Sequence, residues 1–287
     1  MNPKHVALLM AAILSCAVPA FVDAAQPPAG QGLTPTTLEE LVLKDGSRLY
    51  GSVQRETEEE VVFRTYAGLV VTVRRADIAQ LHRVEGSVID EEFWRADPNA
   101  TRLFFAPTGR AVPQGKVYLG VFEFVMPFVQ VGITDRISIG GGTPLLFGGG
   151  DWDRPFWVTP KVQVLRGDRL QVSIGTFHIF DTSGEGGGIA YAVGTYGGRE
   201  ASMTVGVGGT YTGFDGGGGV IMVGGDRQVS RNIKLVTENY LWKGRDGIAS
   251  AGVRFFGEKL SADLALAVPI GASDLFVFPV VNFVYVF

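Results

Sequence analysis

Three groupings of side chains have the types that catalysis or ligand chemistry uses. They are a histidine, an aspartate and a serine near residue 180, several glycine runs, and single charged residues set in apolar stretches. Of the three histidines, His5 falls in an N-terminal export signal and His82 in a small separate domain, which leaves His178 in Phe177-His178-Ile179-Phe180. A serine nucleophile must sit within hydrogen-bond reach of its base. No serine stands two residues after His178, and Ser183 follows Asp181 in a Gly-rich loop. This spacing argues against hydrolysis and makes His178 an interfacial residue near a loop rim. The Gly runs at 140–142, 148–150, 186–188 and 216–219 resemble phosphate loops only in composition, since none precedes a helix or ends in Gly-Lys-Ser/Thr. Acidic residues are too scattered for a calcium loop. The only cysteine, Cys16, lies in the export signal, so the mature chain has no thiol chemistry. The expectation is a protein without catalysis, metal or cofactor.

The isolated charges are more informative. Glu123, Lys161, Lys234, Glu238, Arg254 and Asp263 each lie within a segment whose alternate residues are apolar. A strand points successive side chains to opposite faces. Leu170, Val172, Ile174 and Phe180 therefore oppose Arg169, Gln171 and Ser173. Likewise Leu260, Ala262, Leu264, Leu266 and Val268 oppose Ser261 and Asp263, and Ala249, Ala251, Val253 and Phe255 oppose Ser250 and Arg254. One face is consistently oily. A Lys or Arg facing lipid at mid-depth costs about 2–4 kcal/mol, so the six charges are expected to point inward as a paired interior network. Arg136, Gln163, Arg169, Gln171, Lys234, Arg254 and Ser261 fall toward one end, leaving the other half lined by glycine and apolar groups.

Those positions require strands. The pattern draws about twelve of them, near 116–125, 128–134, 136–143, 156–165, 169–180, 188–196, 201–212, 219–224, 232–242, 248–256, 260–268 and 275–287. Tight connections at Asp135, Arg166–Asp168, Gly197–Glu200 and Gly257–Lys259 alternate with longer ones at Pro144–Arg154, Asp181–Gly187 and Gly213–Gly218, as the short periplasmic turns and long outer loops of membrane barrels do. Asp226–Arg231 reads as a long turn on the short-turn side, against that pattern. Pro160 removes a ladder donor and predicts a bulge in the fourth strand. The last strand is apolar on both faces, as the core of a soluble β-sandwich also would be.

Composition agrees with this architecture. The chain has 40 glycines in 287 residues, about twice the usual share. Its net charge of −4 and pI near 5.5 give no overall basic field for nucleic acid. Residues 1–24 read as a signal peptide: Lys4, an apolar run from Val6 to Val18, and Val22-Asp23-Ala24 before the cut. A retained helix, or lipidation at Cys16, is the lesser alternative. Residues 25–36 are a Pro/Gly linker. Residues 37–83 carry short alternating strands and tight turns, predicting a small SH3-like or Sm-like β-barrel domain that binds a periplasmic protein or peptide. Residues 84–114 read as an extended connector, and 115–287 as the large barrel. The fold class expected is all-β, an antiparallel transmembrane barrel preceded by a small β-barrel.

The ending Val281-Asn282-Phe283-Val284-Tyr285-Val286-Phe287 resembles the assembly signal of bacterial outer-membrane β-barrel proteins, carried here by Val281, Phe283, Tyr285 and Phe287. Asp97-Pro98-Asn99 through Thr108, with Gly132-Ile133-Thr134-Asp135-Arg136, is similar to an uncharacterised group of bacterial proteins. The barrel resemblance covers 115–287. It implies the Gram-negative outer membrane, its lipid and the barrel-assembly machinery as partners, and residues 25–114 in the periplasm. A twelve-stranded outer-membrane phospholipase family works with serine, histidine and asparagine on the barrel wall, but this chain does not place those residues together. The expected function is a narrow passive channel or an envelope structural protein. A surface-binding protein using the Gly-rich loops, or a lipid hydrolase, is the alternative.

Overall fold

The structure, a computed structural model, describes residues 36–89, 92–145, 155–180, 186–212, 215–242, 246–271 and 276–287. The expected signal peptide, most of the linker, and Ser183 lie outside the described residues. The chain forms two units, one ending at Ala96 and the other beginning at Asp97.

The first unit is a single six-stranded antiparallel sheet. Its strands are β1 (Thr36–Leu43), β2 (Arg48–Glu56), β3 (Glu60–Thr65), β4 (Val70–Arg74), β5 (Ile78–Ile89) and β6 (Glu92–Arg95), in the order β4-β3-β2-β1-β5-β6. Leu41, Val61, Phe63 and Val73 alternate along their strands onto one face and bury a small core. Tight turns at Gly46 and Gly68, both at φ 89°, fix the hairpins, a conformation that favours glycine. The small closed barrel expected here does not form: β4 and β6 are the two edges of an open sheet. The reason lies in β5. Instead of stopping at Leu81 it runs on to Ile89, pairing with β1 on one side and β6 on the other. Val84, Ser87 and Phe93 are buried and Phe93 stacks on Tyr50 at 4.7 Å, so residues 84–89 and 92–95 extend the sheet rather than serve as a connector.

The second unit is a closed antiparallel barrel of twelve strands. They are β7 (Val117–Phe122), β8 (Met126–Gly132), β9 (Ile137–Gly142), a fourth strand in two pieces, β10 (Phe156–Val158) and β11 (Lys161–Arg166), then β12 (Leu170–Phe180), β13 (Gly187–Gly197), β14 (Ala201–Thr212), β15 (Asp215–Ser230), β16 (Ile233–Trp242), β17 (Gly247–Phe256), β18 (Leu260–Ile270) and β19 (Phe278–Val286). Each pairs with the next, and β19 returns to pair with β7, from Asn282 opposite Phe122 to Val286 opposite Tyr118. Closure leaves no edge, the condition for strands to cross a bilayer. Pro160 breaks the fourth strand as the sequence predicts: partners jump from His178 opposite Val158 to Gly175 opposite Lys161, and the Pro160 carbonyl still accepts from Thr176 N–H at 3.1 Å.

The alternation is regular. Leu119, Val164, Ile174, Val207, Leu264 and Leu266 stand exposed on the outer wall, while Lys161, Gln163, Ser173, Thr195, Thr204, Asp226, Lys234, Glu238, Arg254, Ser261, Asp263 and Asn282 are buried within. Asp226–Ser230, expected as a long turn, belongs to β15, whose pairing with β16 continues to Ser230 opposite Ile233. Two residues, Arg231 and Asn232, remain for the turn. Asp226 and Gln228 look polar enough for a loop but are inward members of a strand.

Candidate functional site

The interior charges gather around residues 97–113, which fold back into the barrel. This segment cannot be strand or helix. Pro98, Pro107 and Pro113 interrupt any ladder, and its own main-chain bonds are few: Leu103 N–H to the Ala106 carbonyl at 2.9 Å and Thr108 N–H to the Thr101 carbonyl at 3.0 Å. Buried main-chain polar groups need partners, and the barrel wall supplies them.

Arg254 of β17 donates Nε to Asp263 Oδ1 at 2.6 Å and Nη2 to Asp263 Oδ2 at 3.1 Å, a two-pronged pair with the neighbouring strand. Its remaining capacity goes to the inward segment: Asp97 Oδ2 at 3.1 Å and the carbonyls of Asn99 at 2.9 Å, Arg102 at 3.2 Å and Leu103 at 2.5 Å. Glu238 of β16 does the converse. Its Oε2 accepts the N–H groups of Phe104, Phe105 and Ala106 at 2.8, 3.0 and 3.0 Å, while Oε1 takes the Tyr240 hydroxyl at 2.8 Å. Lys161 Nζ reaches the carbonyls of Thr101, Thr108 and Arg110 at 3.4, 3.3 and 2.7 Å. Lys234 Nζ lies 2.8 Å from Asp226 and 3.7 Å from Asp97.

A close approach fixes the far end. Gly109 donates its N–H to Thr195 Oγ1 at 2.8 Å, and its carbonyl accepts from Gln163 Nε2 at 2.9 Å and Ser173 Oγ at 3.0 Å. A Cβ there would stand 2.2 Å from the Gln171 carbonyl oxygen. Apolar packing adds to the polar ties. Leu103, Phe104 and Ala106 bury against Val193, Met222, Val236, Ala265, Ala267 and Val280, and Val112 against Tyr118, Phe128, Trp157, Val284 and Val286. Each fully buried large side chain contributes about 1.5–3 kcal/mol, so residues 97–113 form a docked plug.

Five of the six charges singled out in the sequence, Lys161, Lys234, Glu238, Arg254 and Asp263, therefore share this interior. Glu123 does not. The first hairpin turns at Glu123-Phe124 rather than at Met126, with both residues at positive φ (51° and 62°), so Glu123 sits at the tip. There its carboxylate accepts the Val281 N–H at 3.2 Å. Arg136 and Arg169 are exposed at the turn end instead of lining the interior. Val281, Phe283, Tyr285 and Phe287 alternate with the buried Val280, Asn282, Val284 and Val286, which places them on the outer face of β19 and at its end. His178 bonds through Nδ1 to the Tyr211 hydroxyl at 2.9 Å and packs edge-on to Phe180.

Sequence reasoning missed the plug's own contributions, Asp97 and Arg102, and the wall groups Asp226 and Asn282 that complete the network. The other half holds the glycine and apolar groups that the alternation puts there. Above the plug lies a cavity of about 860 Å³, with Thr101, Arg102, Phe105 and Pro107 on its floor, and Pro144, Pro155, Ile179, Gly218 and Trp242 at the loop end. Its walls are aromatic as much as glycine: Phe122, Phe128, Trp157, Phe177, Tyr191 and Tyr240.

Set beside solved structures, this architecture is similar to that of the KdgM porin, at 8% identity over 59% of this chain and 96% of the porin, with a TM-score of 0.46. It also matches the NanC porin, at 8% identity over 60% of this chain and 97% of the other, TM-score 0.41, and a loop-deletion mutant of OmpT, an outer membrane protein of Vibrio cholerae, at 13% identity over 88% of this chain and 97% of the other, TM-score 0.38. No family model and no curated protein matches the sequence.

Proposed function

We propose that this protein is an outer-membrane barrel, without catalysis, that gives a small solute passive access to a lumen which its own residues 97–113 close at the turn end. The long-loop end then faces outward. The six-stranded unit lies in the periplasm as an interaction module, and β19 carries the signal read by the assembly machinery. The observation that carries the reading is the use made of the buried wall ions. Lys161 and Glu238 spend their hydrogen bonds mainly on plug main chain, and Arg254 divides its own between Asp263 and the plug. Such groups are costly to leave unpaired, so the closed lumen is the stable state.

The test is conductance in planar bilayers, with heat-modifiable gel mobility as the check on folding. The wild type is expected to stay closed or nearly so. Variants that loosen the plug without touching the outer wall, such as Glu238→Gln, are expected to open intermittently. Steady, porin-sized conductance of the folded wild type would overturn the reading.

A further inference from the structure

Among the described residues the charges buried in the barrel balance overall, with Arg102, Lys161, Lys234 and Arg254 against Asp97, Asp226, Glu238 and Asp263. They do not balance locally. Arg254 and Lys234 each meet carboxylates. Lys161 has three carbonyls, enough for its three donors. Arg102 is different. Its guanidinium has five donors in a planar fork, of which one goes to Gln130 Oε1 at 2.7 Å, and Nε is buried without a partner among the described residues. Two aromatic faces hold it otherwise, with Cζ 4.1 Å from the Phe128 ring centre and 5.4 Å from that of Phe122. It is 7% exposed and lies on the floor of the aromatic cavity.

An apolar chamber with one under-coordinated cation at its base has the layout of a site for an amphiphile. The body would lie along the rings of Trp157, Phe177, Tyr191 and Tyr240, and a planar anion would meet the guanidinium fork. Ligand sites are of this kind, mostly apolar with a few placed polar groups, and about 300–1,000 Å³ in volume. Carboxylate matches the fork with two parallel hydrogen bonds. We propose that the cavity binds an apolar monocarboxylate, a medium- or long-chain fatty acid or an aryl-alkyl acid, with its carboxylate on Arg102 and its body in the aromatic chamber. This deepens the reading of a solute-accessible, plugged lumen and rests on it.

The experiment uses the full chain in detergent and a matched pair of probes, 11-bromoundecanoic acid and 11-bromoundecanol. The bromine quenches tryptophan, and Trp157 and Trp242 line the cavity. The acid is expected to quench saturably and at least tenfold more tightly than the alcohol, and Trp157→Phe with Trp242→Phe removes the signal. Arg102→Met is expected to bring the two affinities within about twofold while leaving the alcohol unchanged. Equal affinities in the wild type overturn the assignment of the head group. Quenching that survives loss of both tryptophans overturns the location, and absence of saturable quenching overturns the site altogether. Should Arg102→Met fail the gel-mobility check, Gly206→Leu, which fills the chamber from its wall, is expected to weaken both probes more than tenfold, and unchanged affinity in that variant overturns the site. Conductance is recorded on the same preparation: a closed barrel that does not quench retains the plug reading and loses this one, whereas an open barrel loses the former.

Discussion

Arg254→Met is the sharpest perturbation of the docked plug. Methionine keeps much of the volume but forfeits six hydrogen bonds, four of them to Asp97, Asn99, Arg102 and Leu103. Asp97 retains Lys234 at 3.7 Å, but Asp263, almost fully buried, loses both of its donors. Removing one partner of a buried ion pair costs about 3–5 kcal/mol. The main-chain ladder between β17 and β18, which includes Arg254 opposite Asp263, does not depend on the guanidinium. The cost therefore falls on the docked state of 97–113 and not on the barrel, because undocking returns both the plug carbonyls and Asp263 to water. At about 1.4 kcal/mol per decade, the lower figure multiplies the undocked population by about a hundred. The readout is thiol labelling at Ala106→Cys in a Cys16→Ser background, which leaves no other cysteine in the chain. Ala106 is buried in the docked plug, so labelling reports undocking. The rate is expected to rise about a hundredfold with heat-modifiable mobility intact, and Asp263→Asn added to Arg254→Met is expected to recover part of the loss, as coupled neighbours do. A change under about threefold in a folded barrel would refute the argument that this arginine holds the plug.

Three other outcomes follow from the geometry. Gly109→Ala drives a Cβ into the Gln171 carbonyl and breaks the three hydrogen bonds at Gly109, at about 1 kcal/mol each, so the same labelling assay should report a rise of about a hundredfold. Leu264→Arg, on the outer wall of β18 where Leu264 is 56% exposed, should destabilise the barrel in vesicles by about 2–4 kcal/mol, as measured by denaturant unfolding. The same substitution would cost little if that wall met water. In the six-stranded unit, burial alone would raise the Glu40 carboxyl, but Arg95, Arg48 and Tyr50 outweigh it and hold the pKa below the usual carboxylate range. A lowered folded value gives stability that is complete above the unfolded pKa, near 4.5, and is lost as pH falls through the folded value. Glu40→Gln should therefore speed amide exchange in β1, β2 and β5 at neutral pH, by about 3 kcal/mol in protection, and flatten its acid dependence.

How far the sequence disclosed this arrangement depended on whether a residue's role could be read from its immediate neighbours. The barrel strands could, because one face meets a uniform apolar medium and period-two alternation persists through β12, β17 and β18. Pro160 marked its own break, since a missing N–H acts locally. Asp226–Ser230 misled for the same reason: glycines and polar residues next to a turn look like turn, and only the partner strand β16 shows that Asp226 faces Lys234. The open sheet misled through β5, where Arg83, Glu85 and Ser87 interrupt the apolar pattern but stay in the ladder, Arg83 and Glu85 opposite β1 and Ser87 opposite β6. Nothing in residues 97–113 reads as a plug, because its bonds to the wall are made largely by backbone groups, which every residue possesses.

The inward charges nevertheless contained a clue. Five buried ions on the wall do not neutralise one another: only Arg254 and Asp263 form a direct wall pair within the set named from sequence, while Glu238 and Lys161 have no partner of opposite charge there. Because buried ions require compensation, their excess capacity implied a further set of donors and acceptors inside the barrel. A carboxylate that accepts three successive N–H groups and an ammonium that meets three carbonyls are the signature of irregular main chain as the occupant. The same accounting sets Arg102 apart from Lys161, Lys234 and Arg254, since among the described residues only Gln130 accepts from its guanidinium and its buried Nε has no partner.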